Sequence, residues 1–183
     1  GEDKTGNFTN VEKVAGTLTV SPKPVTIKTG SGSKEYDGTA LTNEEANIEG
    51  LVEGEDVAVS ATGTITEVGT ASNSYSIDWN NVNADNYAVS EELGTLTITA
   101  SAAEVKLTAA SDSKTYDGTA LTNSGVTASG LPEGFTVEAT ASGSQTDAGS
   151  IANVVNDGYV IRNGVGEDKT GNFTNVEKVA GTL

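Results

Sequence analysis

The sequence has no histidine, no cysteine and no methionine, and each absence removes a class of function. Without cysteine or histidine there is no thiolate nucleophile, no Ser-His-Asp triad, no His/Cys zinc or haem site and no disulfide. Basic residues are scarce: 10 Lys+Arg stand against 26 Asp+Glu, a formal net charge of -16. That balance opposes nucleic acid, whose phosphates need cationic neutralisation, and anionic membrane surfaces. No stretch approaches the ~20 apolar residues of a membrane span, and no signal peptide is apparent. The chain is therefore expected to be a piece of a longer protein. The lack of oxidisable thiols is compatible with the outside of a bacterium. Aromatics are few (one Trp, five Tyr, three Phe), and 35% hydrophobic residues supply two small cores better than one large one. Only three prolines accompany 22 glycines and 26 threonines, the composition of a chain rich in strands and turns.

What is present is repetition. Ser33-Lys34-Glu35-Tyr36-Asp37-Gly38-Thr39-Ala40-Leu41-Thr42-Asn43 returns at an offset of 80 (Ser33 to Ser113), with Thr115 for Glu35 as the one difference. The register continues through Gly50-Leu51 and Gly130-Leu131, Gly63 and Gly143, and Gly69 and Gly149, and it sets Trp79 opposite Tyr159. The second copy then carries about seven extra residues before its closing strand, where Gly181-Thr182-Leu183 matches Gly94-Thr95-Leu96. A longer repeat overlies this one. Residues 1–18 are identical to 166–183, an offset of 165 (Gly1 to Gly166) that spans a pair of domains. The chain divides into 1–20, the closing strand of a preceding repeat, and two repeats at 21–101 and 102–183. The joints are Ser21-Pro22-Lys23-Pro24 and Ser101-Ala102-Ala103, both short, and the first is stiffened by prolines.

Within each copy the hydrophobic period is two. Val25–Thr29 and Val105–Thr108 open the domains as strands, and Val57–Ala61, Tyr75–Ile77, Tyr87–Val89 and Leu96–Ile98 continue the alternation. Asn43–Asn47 reads as loop running into strand. The fold class is all-β. The ordered series Lys-x-Tyr-Asp-Gly-Thr-Ala-Leu-Thr, Gly-Leu-x-x-Gly, Val68-Gly69-Thr70, Asn86-Tyr87 and Gly94–Thr99 resembles the YDG/MBG-type tandem repeat domains of bacterial surface adhesins. The resemblance covers about 25–100 and 105–183. It implies two Ig-like β-sandwich domains in an elongated arrangement, used as a stalk. The second copy departs from the pattern at Asp147-Ala148-Gly149-Ser150 and Asn172-Phe173, changes that keep size and polarity.

Four clusters invite a chemical reading. Tyr36-Asp37-Gly38-Thr39 is taken as structural: Asp-Gly is a turn pair, and Tyr36 should bury its ring and find a partner for its hydroxyl. The loop Asp78–Asn86, with Asn156, Asp157, Glu167, Asp168 and Asn172 in the second copy, is rich in oxygen ligands for calcium. Its spacing matches no calcium loop, and such runs usually form Asx turns. Lys34 and Lys114 are the lysines that recur beside the turn, as a Lys–Asn isopeptide cross-link would require, although that bond also needs a buried, deprotonated lysine. Asn7-Phe8-Thr9 and Asn172-Phe173-Thr174 are glycosylation sequons, without meaning in most bacteria. No catalytic, cofactor-binding or metal residue is assigned, and no cofactor is expected.

The expected function is a structural stalk or filament repeat of an extracellular bacterial surface protein, with no enzymatic activity. Strands near 6 residues make each domain roughly 35–40 Å long, and two in line about 70–80 Å. The alternative is a glycan- or mucin-binding adhesin module with Trp79 as its platform, which requires an exposed ring in a groove. The expected partners are other copies of the chain, head to tail through residues 1–20, with no nucleic acid and no membrane contact. Val11, Val14, Leu18 and Val20 make residues 10–20 an expected β-strand whose partners lie outside the first domain.

Overall fold

The computed structural model describes residues 1–7 and 9–183. Among the described residues the chain is all-β, with three single-turn 3-10 helices and no α-helix. None of these helices is long and apolar enough to cross a membrane. The first domain holds β1 (Lys23–Thr29), β2 (Gly32–Glu35), β3 (Ala46–Glu49), β4 (Ala58–Ala61), β5 (Gly69–Ser72), β6 (Tyr75–Asp78), β7 (Tyr87–Glu92) and β8 (Thr95–Thr99). The second holds β9 (Val105–Ala109), β10 (Val126–Ser129), β11 (Thr136–Glu138), β12 (Ala141–Ser142), β13 (Ala152–Val155), β14 (Val160–Arg162), β15 (Val176–Val179) and β16 (Gly181–Thr182).

The two-residue period decides which faces are buried. On β1, Val25 and Ile27 face inward while Thr26 and Lys28 stay half-exposed; β8 buries Leu96 and Ile98; β9 buries Val105, Leu107 and Ala109. Each fully buried aliphatic contributes about 1.5–3 kcal/mol, so these three strands anchor the cores. β1 lies between antiparallel β3 (Ile27 opposite Ile48) and parallel β7 (Val25 opposite Val89). β9 repeats the arrangement with β10 and β15, pairing Leu107 with Ala128 and Val105 with Val176. The first domain also has sheets β2-β8-β5 and β4-β6; the second has β12-β13-β16 and β11-β14. Architecture and expectation agree at the level of an all-β chain. The sheets are small, and parallel pairs β1–β7 and β2–β8 sit among the antiparallel ones.

The expected strand at 10–20 does not form. Residues 10–22 have no strand, and Val14, Leu18 and Val20 are 84%, 100% and 97% exposed. Nor do these residues pair with their own first domain. The identical segment in the second domain shows why. Val176–Val179 becomes β15 because Val105–Thr108 offers it a parallel ladder, whereas Val11–Val14 has no such neighbour. The short-range part survives in both copies: Thr5–Asn7 and Thr170–Asn172 are each a 3-10 turn. Their preceding Asp3 and Asp168 each accept the threonine N–H at 2.9 Å. The turn is written locally; the strand is supplied by its partner.

Candidate functional site at the joint between the domains

The YDG turn is held by its own side chains. Asp37 accepts hydrogen bonds from the Thr39 N–H (2.8 Å), the Thr39 hydroxyl (2.8 Å) and Lys34 Nζ (2.8 Å). Lys34 places its remaining protons on Thr39 Oγ1 (2.5 Å) and the Ala40 carbonyl (3.4 Å). The Lys34 ammonium, followed by the two Thr39 donors, holds the Asp37 carboxyl down at about 2. Lys114, Asp117 and Thr119 repeat the cage, and Asp117 is lowered for the same reasons. Gly38 and Gly118 turn the chain at φ +81° and +79°, in the region that favours glycine. Each ammonium is engaged by an aspartate, so the geometry gives Lys34 and Lys114 an ion pair in place of the deprotonated state an isopeptide bond needs.

Tyr36 behaves differently from expectation. Its ring is 3% exposed, but what covers it is the next domain. The Tyr36 N–H donates to the Thr99 carbonyl at 2.8 Å, which sets the ring at the end of β2 and β8. There it meets Phe135 and Phe173 edge-on, with ring centroids 6.0 and 5.9 Å away; those two phenylalanines are themselves 5.7 Å apart and steeply tilted. Pairs of this geometry add about 0.5–1.5 kcal/mol beyond the area they bury. The hydroxyl makes no hydrogen bond to a described residue. Tyr116, the same residue in the second copy, is 64% exposed. The motif alone therefore does not bury the tyrosine; a neighbouring domain does.

Around the aromatic trio runs a polar rim. Glu67 accepts from Lys169 Nζ (2.8 Å) and Asn172 Nδ2 (3.3 Å), and Glu35 accepts the Ala102 N–H (3.2 Å). The Lys169 side chain is only 13% exposed. Its carboxylate neighbours, Glu67 first and Glu167 second, raise its pKa. The connecting residue Ser101 is buried, donates its N–H to the Asn172 carbonyl (2.8 Å), and accepts from the Thr174 N–H (3.0 Å) and hydroxyl (2.9 Å). The connection is thus stitched into the second domain as a short parallel pairing of Ser101 with Phe173. An apolar centre, a charged rim and a bonded linker together fix one orientation of the two domains.

The remaining candidates are not brought together. Trp79 is half-buried and stacks on Tyr87, centroids 5.6 Å apart and 21° between planes. The shallow depression beside it is lined by Gly54, Asp56, Asn80, Val82 and Asn86, without the indole. Oxygens of its loop are spent locally: Asp78 accepts the Asn80 N–H (2.9 Å) and Asn83 the Asp85 N–H (3.1 Å). In the second copy Asp157 pairs with Lys178 (2.6 Å), Glu167 with Lys169 (3.1 Å), and Asn156 with Thr140 (2.8 Å). Among the described residues no three acidic side chains converge as cation ligands. Tyr159 lies beneath Lys178, whose ammonium is 5.2 Å from the ring centroid. Phe8, in the first sequon, lies outside the described residues.

One pair of residues escaped the sequence reading. Asn73 and Asn153 are both 0% exposed. Asn73 donates to the Gly30 and Asn43 carbonyls (both 2.9 Å) and accepts the Gly63 N–H (3.1 Å). Asn153 donates to the Ala110 and Asn123 carbonyls (both 2.8 Å), but its Oδ1 has no partner among the described residues. The signal was available, since Asn73 and Asn153 coincide at the offset of 80 where their neighbours differ.

Comparison with known families agrees with the motif. Residues 21–95 match the model of the YDG domain. The first domain is a YDG domain, and the second repeats its defining turn in register. No curated protein and no solved structure matches the chain.

Proposed function

We propose that the chain is a structural repeat: a stretch of stalk or fibre in an extracellular protein of the bacterial surface, whose work is to hold a fixed spacing. The observation that carries this reading is the Tyr36 joint, where the tyrosine beside the defining turn of one repeat is covered by two phenylalanines of the next. A residue whose burial depends on the neighbour makes the array, not the single domain, the unit of stability. The identity of 1–18 with 166–183 supports head-to-tail continuation in pairs of domains, with residues 1–20 closing the second-type domain of a preceding copy. The high negative charge keeps such arrays apart from one another in solution. The test is to change the number of repeats in the full-length protein on cells that display it and to measure the height of the projection. Each added pair should lengthen it by roughly 70–80 Å, from strand rise and domain size. A height independent of repeat number overturns the proposal.

A further inference from the structure

The two terminal segments of the first domain are laced into one ribbon. β1 pairs in parallel with β7 from Lys23–Tyr87 to Lys28–Glu92, and β2 pairs in parallel with β8 from Gly32–Leu96 to Glu35–Thr99. Both ladders keep one offset of 64 residues (Lys23 to Tyr87, Gly32 to Leu96), although they lie in different sheets. The entering and leaving segments therefore change sheets side by side, at Gly30 and Gly94. There the backbones touch: a Cβ on Gly94 would stand 2.1 Å from the Gly30 carbonyl oxygen. The crossing is bonded from both strands. Thr29 Oγ1 donates to the Asn73 carbonyl (2.7 Å) and accepts the Gly94 N–H (2.9 Å). Asn73 gives its side-chain amide to the Gly30 carbonyl (2.9 Å) and its own N–H to the Gly94 carbonyl (2.8 Å).

Parallel pairing decides how this ribbon meets a load. The chain enters at the end where Lys23 lies beside Tyr87 and leaves at the end where Glu35 lies beside Thr99. Tension between entry and exit slides one strand along the other, so the evenly spaced ladder bonds resist together. Antiparallel terminal strands would put entry and exit at the same end, and the same tension would open their bonds one at a time. We propose that the ribbon is a shear clamp, a device by which the first domain bears tension applied along the chain. Thr29 and Asn73 pass the load between its two ladders at the crossing. The clamp deepens the structural-repeat reading, on which its use in the full protein rests, by adding resistance to force to the holding of a spacing.

Single-molecule force spectroscopy on the full chain tests the clamp. The sequence has no cysteine, so handles attach only where a pair is introduced. Ser21→Cys with Ala102→Cys pulls the ribbon in shear. Ser21→Cys with Asp85→Cys pulls its Lys23–Tyr87 end apart and peels it; all three positions are exposed. At one loading rate the shear pair should need at least about threefold more force, because only in shear do the ladder bonds share the unfolding barrier. Thr29→Val keeps the branched shape and removes the hydroxyl at the crossing. It should lower the shear force and leave the peeling force unchanged, since peeling begins at the other end of β1. Equal forces in the two geometries, a stronger peeling geometry, or a shear force unmoved by Thr29→Val overturns the proposal. The two handle pairs alone decide it if Thr29→Val does not fold. None of these results bears on projection height against repeat number, so the clamp and the spacing reading fail separately.

Discussion

Replacing Asn73 by alanine should unfold the first domain far more readily than the matching change at Asn153 affects the second. Asn73→Ala leaves three backbone groups without partners: the Gly30 and Asn43 carbonyls and the Gly63 N–H. Each buried polar group left unpaired costs about 1–3 kcal/mol. The sum is at least about 3 kcal/mol, against a total of about 4–12 kcal/mol for a domain of this size. Asn153→Ala strands two carbonyls, those of Ala110 and Asn123, and it also deletes an Oδ1 that had no partner among the described residues. Its cost should be smaller by about 1–3 kcal/mol, one unpaired group fewer. Urea unfolding separates the cases. Trp79 is the only tryptophan and reports the first domain, while amide exchange at Leu107 and Ile161, both fully buried, reports the second. With a urea slope of about 1–3 kcal/mol/M, Asn73→Ala should lower the Trp79 midpoint by about 2 M. A shift under about 0.5 M, or a larger penalty at Asn153, refutes the assignment of Asn73 as the polar pin of its core.

Gly38→Ala and Gly118→Ala should each cost about 1–2 kcal/mol for forcing a side chain into positive φ. Gly38→Ala should cost more, since its methyl would stand 2.7 Å from Phe135 Cε2 whereas Gly118 faces open space; paired melting curves give the order. The YDG cages should confer stability that falls with acid. Asp37 and Asp117 are both depressed, so their contribution is complete above the ordinary value near 3.8 and is lost as pH falls, for Asp37 through about 2. The melting temperature of Asp37→Asn should therefore lie below that of the unaltered chain at pH 6 and converge with it near pH 2. A gap that persists there refutes the charge-based account. Tyr36→Ala should be strongly destabilising, by about 3–5 kcal/mol for a buried aromatic, whereas Tyr116→Ala should stay within about 0.5 kcal/mol; equal effects would deny the joint its special role.

The alternation of Val25, Ile27, Leu96, Ile98, Val105 and Leu107 was legible because each strand's period is a property of a few adjacent residues. The Asp37-Gly38 turn was legible for the same reason: Lys34, Asp37 and Thr39 meet within one short segment. β2 was not, since Ser33, Lys34 and Glu35 are polar and become a strand only through pairing with β8. Nor was the meaning of Tyr36. Its partners Phe135 and Phe173 lie in another domain, and in the first copy Glu55 aligns with Phe135 while Tyr87 aligns with Phe173. Comparing the repeats revealed the motif but concealed the joint, because a joint is where two copies must differ. The clearest case is the segment present twice: one sequence gives a strand beside Val105–Thr108 and none at Val11–Val14.

A Tyr36 joint that sets two domains end to end fixes one distance between their far ends. Spin labels at Asn81, at the far end of the first domain, and Thr146, at the far end of the second, measure it directly by pulsed electron–electron resonance; both residues are exposed. A single narrow distance of roughly 60–80 Å is expected, the span of two domains in line. A distance under about 40 Å, that of a folded-back pair, or a broad distribution in the unaltered chain would contradict it.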